Sequence, residues 1–109
     1  MAETVETRVR RGIALLEKRK PTWRKYIDVQ KLDLNSCFNC VLGQVYGEYR
    51  LGTWRLFKEP ISDINAYERA VPYGFATNGS MPYLTRVWKR VLQEDTKDVA
   101  HRVGVADAR

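Results

Sequence analysis

"NSCFNCVLGQVYG", residues 35–47, is the stretch on which the fold turns. It holds both cysteines and two of the seven glycines. Phe38, Leu42 and Val45 recur at helical spacing, and Tyr49 extends the stripe. Val41 and Tyr46 lie off that stripe, so a helix from Cys37 to about Tyr49 is apolar on most sides. Such a helix belongs in a core. Asn35 or Ser36 is placed to cap it, since a short polar side chain accepts from a first-turn N–H.

The same stretch carries three chemical readings. In a helix, Cys37 and Cys40 stand one turn apart and could share a metal ion. Zinc takes four ligands, and the single histidine, His101, supplies only a third. As a redox pair, Cys37 near a helix N-terminus would gain thiolate character, but the βαβ pattern of thioredoxin-like chains is missing. As core residues, the cysteines are small and readily buried. The glycines favour the last reading. Ser36, Cys40, Gly43 and Gly47 make a strip of small residues on one helix side. Glycine costs about 0.8–1 kcal/mol inside a helix, so a close-packed neighbour is expected against the strip. Trp54 and Trp88 are the candidates, and a homodimer through Gly43 and Gly47 is the alternative.

Working outward, Val5, Val9, Ile13 and Leu16 form the apolar face of a first helix that Pro21 stops. "PTWRKYI" begins another turn, with Trp23 and Ile27 facing inward, and Leu32 and Leu34 anchor the loop beyond it. "LGTWRLF", residues 51–57, reads equally as a helical turn or a short strand. "DINAYERAV" is a helix ended by Pro72 and Gly74. Ser80 caps a last helix whose face is Leu84, Val87, Trp88, Val91 and Leu92. The pattern predicts an all-α single domain of four or five helices over residues 1–94, packed around the central one. Periodicity fades beyond it, so residues 95–109 are expected to be a flexible basic tail.

The chain carries a net charge of +6, unevenly spread. Residues 1–31 hold nine Lys or Arg against four Asp or Glu, whereas residues 32–80 hold four against five. Arg8, Arg10, Arg11, Lys18, Arg19, Lys20, Arg24 and Lys25 therefore form a candidate basic surface for an acidic partner. No apolar run approaches the roughly 18 residues of a membrane span, and the N-terminus lacks a secretory apolar segment. A cytosolic protein with free thiols is expected. None of the common nucleophile, metalloprotease, phosphate-loop or dinucleotide motifs occurs, so no catalytic residue and no cofactor is expected.

"LDLNSCFNCVLGQVYGEY" resembles a segment of small uncharacterised proteins from actinobacterial phages and prophages. "RRGIALLEKRKPTWRKYIDVQKLDL", "AVPYGF" and "LTRVW" are similar to the same proteins, and Cys40 to Tyr49 carries the most specific part. The resemblance implies provenance and brings no activity with it. The expected function is that of a non-enzymatic phage-type accessory protein that binds a host or phage macromolecule in the host cytosol. A protein is the favoured partner. Weak, non-specific nucleic-acid binding through the basic N-terminal helices is the runner-up, and a thiol or zinc site at Cys37 and Cys40 is the third reading.

Overall fold

The computed structural model describes residues 3–58 and 63–102. They form an all-α fold of five helices, with no strand among the described residues: α1 (Val5–Arg19), α2 (Val41–Tyr46), α3 (Tyr49–Phe57), α4 (Asp63–Ala70) and α5 (Met81–Arg102). Short 3₁₀ turns at Trp23–Tyr26 and Val71–Tyr73 link them. The expected fold class holds. Residues 51–57, ambiguous in sequence, are helix.

α1 starts at Thr4, whose side-chain oxygen accepts from the Thr7 N–H at 3.1 Å. Its Val9, Ile13 and Leu16 are buried in the face that the spacing predicts, with Val5 packed at the edge. Trp23 is fully buried, and its indole N–H donates to Glu17 at 3.1 Å. Leu32 and Leu34 are buried as anchors, and the Leu34 N–H donates to Thr85 Oγ1 of α5. α5 buries Leu84, Val87, Trp88, Val91 and Leu92. Trp88 stacks on Phe75 at 5.8 Å and donates its indole N–H to the Gly74 carbonyl at 2.6 Å. α5 also runs as helix to Arg102, through the first part of the expected tail. Residues 103–109 lie outside the described residues.

The central element departs most from expectation. Of the span from Cys37 to Tyr49, α2 occupies only Val41–Tyr46, and Tyr49 begins α3. Ser36 Oγ accepts from the N–H groups of Phe38 and Asn39, and Asp33 Oδ1 from that of Asn35. These local bonds hold residues 33–39 in turns, as short polar side chains do when they compete with helix. The N-cap is Cys40, whose sulfur accepts from the Gly43 N–H at 3.2 Å. Gly47 ends the helix with φ 104°, a left-handed conformation that glycine adopts without strain. Glu48 then caps α3 through the Leu51 N–H. Phe38, expected in the inward stripe, is consequently 66% exposed, whereas Val41, expected off it, is fully buried.

Close backbone approach occurs, but not along the expected strip. Ser36 stands in the turn and Gly47 in the left-handed cap, with nothing near the space a Gly47 side chain would occupy. A Cβ on Gly43 would strike the Cys37 carbonyl, so its close neighbour is the preceding turn of the same chain. Trp54 is 49% exposed and Trp88 packs elsewhere, so neither covers the strip. Gly43 is buried by its own chain, whereas Gly47 is exposed. The tightest approach joins α1 to the turn after α4: a Cβ on Gly12 would meet the Tyr73 carbonyl oxygen, and one on Gly74 would lie 2.9 Å from the Val9 backbone. Gly52 lets α3 lie against Leu42 of α2.

Candidate functional site

The eight predicted basic residues separate into two groups. Arg8, Arg10, Arg11 and Arg24 are engaged inside the molecule. Arg10 pairs with Glu6 at 3.1 Å and reaches Glu94 and Asp95 of α5, each at 3.5 Å. Arg24 bridges Glu17 and Asp95 at 3.3 and 3.2 Å, with its guanidinium 4.6 Å from the Trp23 ring centre. Arg8 and Arg11 share Glu3, and Arg11 also donates to the Pro72 carbonyl at 2.8 Å. Arg90 of α5 completes the network through Glu6 and Glu94. The hydrogen bond from Arg11 holds the Glu3 carboxyl below its ordinary range, and that from Arg90 does the same for Glu6. Arg10 and Arg24 are thus committed to docking α1 and the Trp23 turn on α5, and Arg8 and Arg11 to Glu3 and the turn after α4.

Lys18, Arg19 and Lys20 behave differently. They meet Arg55 and Lys58 of α3 and Tyr46 of α2 around a groove of about 290 Å³. Among the described residues no carboxylate lines this groove and no ion pair joins any of its five cations. Its origin is local. α1 and α3 both end here, and cations in a last turn are stabilised by the negative end of the helix dipole. Lys58 caps α3 with φ 62°, a left-handed backbone unusual for a residue with a side chain.

Tyr46 lines the groove, and Tyr26 lies beside its Lys20. The Lys20 ammonium lies 5.4 Å from the Tyr26 ring centre and 5.8 Å from that of Tyr46. Lys25, the eighth candidate, lies 5.6 Å from the same Tyr26 ring centre. These distances fit cation–π contact. Tyr26 is 45% exposed, while Tyr46 is half-buried. Burial pushes the Tyr46 phenol up, against the opposing pull of Arg55 and Arg19. A second groove, on α5, is lined by Tyr83, Arg86, Val87, Lys89, Arg90 and Gln93. There Arg90 is already neutralised by Glu6 and Glu94.

Sequence reasoning overlooked Arg55 and Lys58 because they fall in the middle segment, where acidic residues outnumber basic ones. Only the approach of α3 to the end of α1 brings them beside Lys18. A helical reading of residues 51–57 would have put Arg55 in a last turn, the one available signal.

The cysteines do not form a pair on a helix. Cys37 is exposed in the turn, and Cys40 is buried as the cap of α2. Burial pushes the Cys40 thiol up to about 11, which keeps it protonated near neutrality and unreactive. Cys40 also contacts the Cys37 carbonyl at 3.8 Å. His101 falls in the last turn of α5, with its side chain outside the described residues. Among the described residues no three His, Cys, Asp or Glu side chains group to hold a metal ion, and no helix is long and apolar enough to cross a membrane.

Comparison with protein-family models, with curated proteins and with solved structures finds no match to this chain.

Proposed function

We propose that this chain is a non-enzymatic accessory protein that binds an anionic host or phage macromolecule through the groove at the joined ends of α1 and α3. The resemblance to phage proteins supports the setting, in the host cytosol. One observation carries the binding role. Five cations converge on a groove lined by no described carboxylate, in a molecule whose other N-terminal arginines are internally paired. Like charges gathered in this way repel one another, and an anion seated among them relieves that repulsion. A surface serving only solubility needs no such convergence, because mixed signs interspersed serve it as well.

The test is fluorescence anisotropy with a labelled heparin fragment as a generic polyanion. Binding at low salt should weaken steeply as salt is added, as phosphate- or sulfate-directed contacts do. Lys18→Glu with Arg55→Glu should abolish it, while Arg86→Glu on α5 should leave most of it. Absence of binding at low salt, or equal loss in both variants, would remove the groove from the function.

A second reading, in which the macromolecule is a protein held by apolar contact, is favoured by Phe38, 66% exposed in the turn before α2. Isolated exposed apolar residues are common, so this reading stands behind the groove.

A further inference from the structure

We infer that the anion the groove takes is the backbone of single-stranded nucleic acid, with a base stacked on Tyr26. The inference rests on the groove being the binding surface and adds the chemical class of its ligand. Lys18, Arg19, Arg55 and Lys58 are exposed cations lining the groove, suited to a run of phosphates. Lys20, which lines the groove, lies 5.4 Å from the Tyr26 ring centre and 5.8 Å from that of Tyr46. Tyr26 exposes nearly half its surface and carries a second cation, Lys25, at 5.6 Å. A cationic track beside an exposed ring is the recurring arrangement for single strands, because the backbone follows the charges while an unstacked base covers the ring. An acidic peptide would use the charges and leave Tyr26 without a role.

Duplex DNA suits the geometry less. Its bases are stacked inside and offer no face to Tyr26. A helix entering the major groove presents base-reading side chains along its length. The middle of α1 is closed to that use, since Arg8, Arg10 and Arg11 are turned into ion pairs with Glu3, Glu6, Glu94 and Asp95. The groove's five cations stand at the ends of α1 and α3. Binding is therefore expected to be tolerant of sequence, as stacking on a ring is.

The experiment is fluorescence anisotropy of the full chain at low salt with four labelled probes of matched charge: an oligothymidylate of about twelve nucleotides, within the range of small single-strand sites, an abasic strand of the same length, a duplex, and an oligoglutamate peptide. Oligothymidylate should bind about tenfold more tightly than the abasic strand and more tightly than the duplex or the peptide. With five phosphate contacts the logarithmic salt slope should be about −3.5. Tyr26→Ala should lose that tenfold advantage and leave abasic affinity unchanged, and Tyr26→Phe should keep it. Arg55→Glu should weaken every probe. Thermal melts of each variant establish that it is folded. Equal binding of oligothymidylate and the abasic strand, or tighter binding of the peptide or duplex, would overturn the inference while leaving an anion groove in place. Failure of all four probes would overturn the groove as well.

Discussion

Gly12→Ala tests how α1 meets the turn after α4. In an isolated helix this change stabilises by about 1 kcal/mol, because alanine loses less backbone entropy. Here the added Cβ would collide with the Tyr73 carbonyl oxygen and press on the end of the Phe75 ring at 3.2 Å. The ring can give, but the carbonyl cannot. Its turn is fixed by Gly74 N–H donating to Val71 at 3.1 Å, by Phe75 N–H donating to Ala70 at 3.1 Å, and by Trp88 on the Gly74 carbonyl. Overpacking against rigid structure costs about 1–3 kcal/mol and sometimes more. The clash is with backbone, so the upper end of that range applies, about 3 kcal/mol, and less the propensity gain a net loss of about 2 kcal/mol is expected. At roughly 4 °C per kcal/mol for a chain of this length, Tm should fall by about 8 °C. Ala14→Gly at an exposed position of the same helix supplies the comparison, and by propensity alone it should cost about 1 kcal/mol. Far-UV circular dichroism melts read both. A Gly12→Ala protein that melts at or above the wild-type temperature would refute the close approach of α1 to Tyr73.

Three further outcomes follow from the same physical arguments. Cys37 should react with a thiol reagent at pH 8 while Cys40 reacts only on unfolding, and Cys40→Ala should cost about 1–2 kcal/mol without affecting anion binding; two equally fast thiols in the native protein would contradict the burial. Lys58→Gly should stabilise by about 1 kcal/mol by relieving the left-handed cap, and should weaken polyanion binding by removing a groove cation, so a melt and a titration moving together would count against the assignment. Folding lowers the Glu3 and Glu6 carboxyls beneath their ordinary 4.5, so their stabilisation is complete above that pH and is lost as pH falls through the depressed values. Glu6→Gln should therefore flatten the acid limb of a Tm–pH profile, and an unchanged limb would show that its pairing with Arg90 and Arg10 contributes nothing.

The helical architecture was legible because periodicity reports burial directly. Val9, Ile13 and Leu16 in α1, and Leu84 to Leu92 in α5, needed no tertiary information. The stretch at 35–47 misled for a physical reason. Its apolar residues recur at helical spacing, but Asp33 and Ser36 bond the neighbouring N–H groups and divert residues 33–39 into turns before helix can begin. Periodicity counts apolar side chains and is blind to such competition. Spacing alone makes Gly47 a small residue on a helix face, but its left-handed backbone marks where the helix stops.

The basic surface was legible only as a total. Summed along the chain, the first 31 residues hold the charge excess, and the eight cations there look equivalent. In space they are not, because Glu94 and Asp95 arrive from the far end of the sequence and neutralise Arg10 and Arg24. The cations left open, Lys18 to Lys20, gain Arg55 and Lys58 from a segment whose own balance is slightly acidic. A partner meets this local field rather than the sum, since exposed charges farther away than about 10 Å are largely screened at ordinary ionic strength. The docking of α5 therefore has two effects. It holds α1 in place through ion pairs, and among the N-terminal basic residues it leaves Lys18 to Lys20, beside Tyr26 and Tyr46, without a carboxylate partner among the described residues.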